Sequence, residues 1–221
     1  MATLRSGIFA VLVAMAASRC MGADEPEFEN LLQNNSLQGW VIDGVSDSTA
    51  EKAIWTVSDG ILRCAGHGFN FLRYDRRLGD FVLRLEYQIF RGGNSGVGVR
   101  GLKFDGSYAT RPSVVGYELQ IADDFGTQPT TKSSGALYRY VAPRVVASRP
   151  ADQWNQMQLE CRGNGIRVVL NGQLVQDVDQ SSVAEIKDKP LCGFLSLQCH
   201  NHPIEFRQIQ LRELKDTPER R

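Results

Sequence analysis

Short alternating segments joined by glycine turns restrict the fold of this chain more than any other feature. The clearest pair, Ile166–Leu170 and Gln173–Asp179, flanks the dipeptide Asn171-Gly172. Asn-Gly between two such runs is a strong signal for a two-residue β-hairpin, because both turn residues must take a positive φ. Asp59-Gly60 separates two alternating runs in the same way. The pattern therefore predicts antiparallel strands closed by tight turns.

Roughly a dozen short strands of this kind follow one another, and no internal linker or fixed repeat divides them. A single helical turn is predicted, at Ser181–Lys187. The alternation changes phase between Phe206 and Ile209, which predicts a β-bulge in the last strand. The fold class predicted from these patterns is all-β, as one antiparallel β-sandwich.

The pattern of the N-terminal residues is typical of a targeting segment and not of a strand in this fold. Arg5 precedes the apolar run Gly7–Ala17, which is too short to span a bilayer and is followed by small residues. We predict a secretory signal peptide at residues 1–23, a folded domain at 24–215 and a charged tail at 216–221. The expected location is extracytoplasmic, periplasmic or secreted, with no membrane insertion after cleavage.

Charge and cysteine content limit the possible partners. The chain has 25 Lys and Arg residues against 25 Asp and Glu residues, so electrostatic capture of nucleic acid is not expected. Four cysteines follow the leader: Cys64, Cys161, Cys192 and Cys199. Their even number is compatible with one or two disulfides in an oxidising compartment, and equally with buried free thiols. None has metal-ligand spacing with another.

The stretch Arg91–Arg100 is the first candidate for a functional surface. Its glycines let the backbone approach another group closely, and strand alternation puts Val97 and Val99 on one face. Gly96, Gly98 and Arg100 then share the other face. One interpretation is a sheet floor that leaves space for a polar ligand. The alternative is a strand in which glycine serves packing and Arg100 is solvated.

Other strands carry polar residues opposite their apolar face, namely Glu118, Gln120, Gln198 and His200. An antiparallel sheet normally shows such a face to water. Together with Arg100, Asn94 and Tyr138, however, these residue types suit hydrogen bonding to a polyhydroxylated ligand. Glu118 is the only acid that the pattern places on this face, so the opposed carboxylates of the usual glycosidases are not predicted.

No metal site is assigned from the sequence, although a divalent cation is possible. His200 and His202 have the spacing of residues on one strand face, and Asp123 and Asp124 end the strand of Glu118. Either pair could bind a cation. A loop reversal at Pro203 weakens the first possibility, and simple loop stabilisation is the alternative for the second.

Several motifs in this order resemble a known family, the 3-keto-disaccharide hydrolase domain family. The motifs are Gly-Gly-Asn-Ser-Gly-Val-x-Val-Arg100, Gly116-Tyr-Glu-x-Gln120, Gly135-Ala-Leu-Tyr138, Trp154-Asn155, Arg162-Gly-Asn-x-Ile-x-Val-x-Leu-Asn-Gly172, and Leu197-Gln-x-His200 with Phe206-Arg-x-Ile209. The resemblance runs from about Phe28 to Leu214. It implies a concanavalin-like jelly roll and an enzyme, a glycoside hydrolase or lyase, acting on sugars oxidised to a ketone at C3.

That activity needs a base for the C2 proton and a group that stabilises the resulting oxyanion. The hypothesis from the sequence is that Glu118 or His200 is the base and that Arg100 holds the oxyanion. Asn94, Gln120 and Gln198 would orient hydroxyl groups, and Asp123 and Tyr138 complete the predicted set of substrate-binding residues.

Two other functions fit the same residues. The domain could be a lectin-like module that binds carbohydrate without cleaving it, or a cell-surface domain whose sheet face binds protein. The chain also departs from the family pattern near its start, where Asn34-Asn35-Ser36-Leu37 replaces the usual Asn-Gly-Lys-x-Leu. This departure removes none of the proposed site residues.

Overall fold

The structure, a computed structural model, describes residues 26–45 and 54–215; the predicted signal peptide and charged tail lie outside these ranges. Its strands are β1 (Glu29–Asn30), β2 (Trp40–Asp43), β3 (Trp55–Ser58), β4 (Ile61–Cys64), β5 (Phe69–Leu78), β6 (Phe81–Ile89), β7 (Asn94–Gly101), β8 (Tyr117–Ala122), β9 (Trp154–Arg162), β10 (Gly165–Leu170), β11 (Gln173–Asp179), β12 (Gly193–His200) and β13 (Ile204–Glu213). One short helix, α1 (Pro112–Val115), and 3-10 turns at Gln33–Asn35, Tyr108–Thr110 and Gln180–Ser182 complete the described elements. The predicted all-β class is confirmed.

The strands form two antiparallel sheets. In the large sheet the order is β11-β10-β9-β6-β13-β4-β3, with β1 also paired to β13. In the small sheet the order is β2-β5-β12-β7-β8. A bridge between Leu119 and Leu137 adds the run Gly135–Tyr138 to the free edge of β8. Within the described residues no helix is long and apolar enough to cross a bilayer.

The core lies between the two sheets, because each strand turns alternate apolar side chains inward. From the small sheet, Val97, Leu119 and Leu197 are fully buried. They belong to the same packed cluster as Leu83 and Leu159 of the large sheet. The predicted sandwich is therefore confirmed, and the outer face of each sheet carries the remaining, more polar, residues.

The predicted turns follow the expected backbone chemistry. Asn171 and Gly172 have φ values of 50° and 81°, and Asp59 and Gly60 have 54° and 72°. Both dipeptides thus close their hairpins in the left-handed conformation that two-residue turns require. The bulge in β13 is also confirmed, since its register with β6 shifts between Arg207 and Gln210. The helical turn predicted at Ser181–Lys187 was misplaced: a 3-10 turn ends at Ser182 and non-helical turns follow.

A second bulge, which the sequence did not reveal, lies in β7. Phe194 pairs with Gly101 and Ser196 with Gly98, so β7 has one residue more than β12 between these pairs. Arg100 has a φ of 55°, and its backbone passes close to Gly116 and Gly193. A Cβ at either glycine would lie within 2.6 Å of the carbonyl carbon of Arg100. The two glycines therefore make this bulge possible.

Candidate functional site

The outer face of the small sheet carries a cluster that we call the polar floor: Asn94, Glu118, Gln120, Gln198 and His200. Strand register determines this grouping. Gly96 pairs with Gln120 and Gly98 with Glu118, while Ser196 of β12 pairs with Gly98 from the other side. Side chains an even number of residues from these positions, along an unbulged strand, also point away from the core. Of the side chains predicted to share a polar face, Glu118, Gln120, Gln198 and His200 do so, and Asn94 lies on the same face.

Glu118 is the most strongly perturbed member of the polar floor. Its side chain is 4% exposed, and burial raises the pKa of its carboxyl group to about 7. Hydrogen bonds from Gln198 and Ser113 and the positive charge of Arg111 oppose this rise without cancelling it. A buried carboxyl group that titrates near neutrality is suited to accept a proton from a substrate.

The glycines of β7 serve this carboxylate rather than a ligand directly. A Cβ at Gly96 would lie 2.7 Å from Cγ of Glu118. At Gly98 it would lie 2.3 Å from Oγ of Ser196 and 2.7 Å from Cβ of Pro112. The predicted open space above these glycines was therefore wrong, because Glu118 lies over Gly96 and the start of α1 packs on Gly98.

Arg100 does not belong to the polar floor, and its predicted position was wrong. The β7 bulge turns its side chain to the interior, where it is 1% exposed. There Nη1 donates to Oε1 of Gln180 at 3.1 Å, and Nη2 donates to the carbonyl of Gly163 at 2.8 Å. The hydroxyl of Tyr117 donates to the same Gln180 oxygen. The Arg100 side chain thus joins Gln180 and Gly163 inside the sandwich. It lies on the opposite side of the small sheet from the Glu118 side chain.

Arg111 supplies the cation that Arg100 does not. It immediately precedes α1, and its guanidinium carbon lies 4.4 Å from the ring centre of Phe69 and 5.3 Å from that of Tyr108. Its positive charge acts on Glu118. The sequence placed Arg111 only in a long polar loop. The one local pattern near Arg111 is Arg-Pro before a short apolar run. It is compatible with the start of a helix but does not predict that this helix packs on the small sheet.

Buried polar atoms without a protein partner concentrate at this site. Oε1 of Gln198, Nδ1 of His200 and Nε of Arg111 are buried and have no hydrogen-bond partner in the described protein. Such atoms are uncommon in folded proteins because each costs desolvation free energy. Gln198 and Arg111 act on Glu118, and His200 lies farther along the polar floor. Three such atoms spread over this face indicate a surface arranged to hydrogen-bond a polar ligand.

Aromatic rings border the polar floor on the side of β5. Phe69 and Phe71 each contact Phe104, with ring centres 5.8 Å and 5.0 Å apart, and His200 contacts Phe69 edge-on at 5.3 Å. The backbone N–H of Phe104 donates to Asp43, whose carboxylate also pairs with the buried Arg73 at 2.7 Å. An apolar border beside an amide-rich floor is typical of sites that bind sugars, whose rings offer both hydroxyls and C–H faces.

The remaining predicted residues lie at the margins of the site. Asn94 accepts a hydrogen bond from Gln120 at 3.3 Å. Tyr138 stands opposite Glu118 on the added edge run, with its N–H donating to the Glu118 carbonyl at 2.8 Å. Asp123 is exposed and accepts the N–H of Gly92 at 2.9 Å, which stabilises a turn.

Residues of both proposed cation pairs make contacts within the protein. His202 uses Nδ1 to contact the carbonyl of His200 at 2.7 Å, and the two rings stack 6.4 Å apart. Asp124 accepts hydrogen bonds from Ser134 and Ser148. In the described parts of the chain no group of three or more His, Cys, Asp or Glu residues is placed to hold a metal ion.

A depression of about 340 Å³ on the outer face of the large sheet differs chemically from the polar floor. Its polar groups satisfy one another: Gln156 donates to Glu86 at 3.0 Å, and Arg84 donates to Gln158 at 2.8 Å. The pairing of these side chains marks an ordinary solvated sheet face, so the functional site is assigned to the small sheet.

The family model of the 3-keto-alpha-glucoside-1,2-lyase-like domain matches residues 27–212. The chain belongs to this family. The match covers both sheets of this 3-keto-alpha-glucoside-1,2-lyase-like domain and every residue of the polar floor, which confirms the resemblance found in the sequence. Among curated proteins, none is similar enough in sequence to match.

Solved structures show the same fold as this lyase-like domain. A proposed glycosyl hydrolase of Parabacteroides distasonis is 24% identical over 86% of this chain and 100% of its own, with a TM-score of 0.70. A second from that organism is 17% identical over 85% and 94%, with a TM-score of 0.71. The carbohydrate-binding module CBM66 of Bacillus subtilis is 14% identical over 79% and 96%, with a TM-score of 0.55. These similarities confirm the jelly-roll architecture.

Proposed function

We propose that this protein cleaves the glycosidic bond of 3-keto-glycosides, with Glu118 as the general base. The observation that supports this most directly is a buried carboxyl group with a pKa near 7, on which Gln198 and Arg111 act while each keeps one buried polar atom without a protein partner. The family name, a 1,2-lyase, agrees with elimination across C1 and C2 of the sugar.

The proposed reaction uses the acidity that a C3 ketone gives to the neighbouring C2 proton. Glu118 removes this proton, and the electron pair moves onto the ketone oxygen as an enolate. The enolate then re-forms the C3 carbonyl with a new C1–C2 double bond, and the glycosidic oxygen leaves C1 with a proton. Water adds to C1 and a proton returns to C2, which gives net hydrolysis. One base is sufficient, so the absence of a second opposed carboxylate on the polar floor fits this route.

Arg111 takes the role of oxyanion partner in this proposal. Its guanidinium acts on Glu118, and its stacking on Phe69 holds it over the polar floor. A cation at this place stabilises the enolate oxygen most strongly as negative charge develops. Gln198, Gln120 and Asn94 orient the sugar hydroxyls.

His200 serves the leaving-group side. From the strand register, the Cα atoms of Glu118 and His200 lie roughly 16 Å apart, two strands and four residues from each other. The C2 hydrogen and the glycosidic oxygen stand on adjacent carbons, so side chains this far apart do not both act on that bond. We therefore assign the C2 proton to Glu118, which passes it on to the departing oxygen, and to His200 a contact with the sugar that leaves.

We also propose that the reaction takes place outside the cytoplasm. The support is the charged and apolar pattern of residues 1–23, which is that of a secretory leader. Detection of the full-length protein and of a shortened mature form in separate cell fractions would test this proposal.

The decisive experiment is an assay of the purified protein on 3-keto-trehalose and 3-keto-lactose, with and without EDTA. We expect release of the free 3-keto-hexose, and a fall in kcat of about 10²- to 10⁴-fold for Glu118→Gln with the circular dichroism spectrum unchanged. Glu185→Gln, which alters an exposed glutamate in a turn, is the matched control and retains full activity.

The competing function has a distinct signature in the same assay. Wild-type protein that binds the 3-keto-disaccharide but releases no product under either condition would be a lectin-like module, and the proposed hydrolysis would be rejected. Full activity in Glu118→Gln would reject Glu118 as the base while keeping the reaction.

A further inference from the structure

Two of the four cysteines meet across the sandwich at the end nearest His200. Cys64 ends β4 in the large sheet, and Cys199 lies in β12 of the small sheet. Both are almost fully buried, at 3% and 0% exposure. Each thiol acts on the other, and the backbone N–H of Gly66 acts on both, which places the two side chains next to each other. Neighbouring thiols on different sheets need only a small adjustment to be cross-linked.

The surrounding chain holds the two sheets together at this point. The Cys199 thiol faces the carbonyls of His67 and Gly68 at 3.4 Å and 3.5 Å. A Cβ at Gly66 would lie 2.4 Å from the backbone of His202, so the β4–β5 turn packs tightly on the β12–β13 turn. Asn70, which pairs with Cys199, also accepts a 2.8 Å hydrogen bond from the indole of Trp55 in the large sheet.

The other two cysteines have no comparable partner. Cys161 is buried in the part of the core near Arg100, whose charge acts on it. Cys192 is exposed and lies 3.2 Å from the guanidinium of Arg77. Among the described cysteines, Cys64 and Cys199 are therefore the pair whose thiols act on each other across the two sheets.

We propose that Cys64 and Cys199 form a disulfide that joins the two sheets when the chain folds in the presence of a disulfide oxidant. One thiolate attacks the oxidant's disulfide, forming a mixed disulfide and releasing one oxidant thiol. The second cysteine then displaces the other oxidant sulfur. The two protein thiols lose two electrons and two protons, and the oxidant, a protein or small-molecule disulfide, is reduced to two thiols.

The local electrostatics assign the roles in this exchange. The hydrogen bond from Cys64 lowers the pKa of Cys199 to about 7, whereas that bond and burial raise the pKa of Cys64. Cys199 is therefore the better thiolate near neutral pH. Because Cys199 directly precedes His200, the resulting bond also fixes the end of β12 on which this site residue lies.

The test is to refold the protein in a mixture of reduced and oxidised glutathione, in a Cys192→Ser background that removes the exposed thiol. We expect an intact mass lower by two hydrogens, and a non-reduced peptide digest in which the Cys64 and Cys199 peptides are joined. The Tm should exceed that of the reduced protein by about 5 to 15 °C. Cys161→Ala in the same background should keep both the cross-link and this increase in Tm.

The peptide digest keeps the proposal falsifiable even if variants at Cys64 or Cys199 fold poorly. Two free thiols at Cys64 and Cys199 after refolding, a glutathione adduct on either, or a link to Cys161 would each overturn it. The outcome is independent of the enzymatic assay, so failure of one leaves the other intact.

Discussion

At the scale of single residues, Glu118 combines features that oppose stability and support reactivity. A carboxylate buried to this degree loses most of its hydration, and its raised pKa measures the remaining cost after Gln198, Ser113 and Arg111 have compensated part of it. The same cost keeps the group close to protonation at neutral pH. Active sites commonly contain groups balanced in this way.

Stability should consequently depend on pH through Glu118. Its pKa is about 7 in the folded state against an ordinary value of 4.5, so the folded state binds the extra proton between these values. This contribution to stability is complete below pH 4.5 and is lost as pH rises through 7. Glu118→Gln removes the cost of ionisation. We expect chemical denaturation to show the variant more stable than wild type by up to about 3 kcal/mol at pH 8.

The comparison at pH 4 provides the internal control, because there both side chains are uncharged and the two proteins should be about equally stable. An equal difference at both pH values would mean that ionisation of Glu118 is not the cause. In wild type, kcat/KM should rise with pH through an apparent pKa near 7, since the base must be ionised.

The sequence predicted residues of the polar floor wherever strand alternation continues without interruption. Glu118, Gln120, Gln198 and His200 fall on one face because the period of a strand is two residues. Arg100 was misplaced because one inserted residue in β7 reverses the alternation beyond it. Arg111 was missed because its position depends on how a loop folds over the sheet, which local pattern does not encode.

At the scale of elements, the β7 bulge depends on two glycines that are far from it in sequence. Gly193→Ala would place a Cβ 2.4 Å from the Arg100 carbonyl carbon, where backbone rather than a flexible side chain blocks it. We expect a loss of at least about 2 kcal/mol in the free energy of unfolding, measured by urea denaturation. The reason is that β7 or β12 must shift to relieve the overlap.

Gly79→Ala is the matched substitution for this experiment. No heavy atom lies within 4 Å of the Cβ position at Gly79, and its φ is not in the left-handed region. Its stability should differ from wild type by only about 0.5 kcal/mol. Equal effects of the two substitutions would contradict the packing explanation.

Element types and turns were more predictable than element contacts. Asn171-Gly172 and Asp59-Gly60 identify their hairpins because few residues accept a positive φ at both turn positions. Helix α1 escaped prediction because four residues are too few to show a helical period. It forms where Pro112 packs on Gly98, a contact between residues of different elements.

At the scale of the whole molecule, polar contacts join the two sheets near both ends of the sandwich. Trp55 of the large sheet donates to Asn70 of the small sheet at one end. At the other end Arg100 of the small sheet donates to Gly163, in the turn between β9 and β10. The first contact is buried and the second is partly buried, and away from water hydrogen bonds are both stronger and more costly to break.

Arg100→Met should therefore reduce stability and leave catalysis intact. The variant keeps much of the buried side-chain volume but removes the donors to Gly163 and Gln180, and we expect a loss of about 2 to 4 kcal/mol in urea denaturation. The kcat/KM of the folded variant should stay within about twofold of wild type, because this side chain does not face the polar floor. Arg167→Ala, at an exposed arginine of β10, is the control for both measurements.

A large fall in kcat at unchanged stability would reverse this assignment and restore Arg100 as an oxyanion partner. The result thus separates the interior role that the structure gives Arg100 from the role expected on the basis of its position in the family motif.

Helix α1 has a practical consequence for redesign. The amine of Lys189 donates to the carbonyls of Val114 and Gly116, at 2.5 Å and 2.7 Å, while Pro112 packs on Gly98. These contacts hold the backbone around position 111 in place without any contribution from the arginine side chain. An engineer can therefore exchange that one side chain for a lysine or an amide and vary the charge offered to the enolate oxygen on an otherwise fixed scaffold.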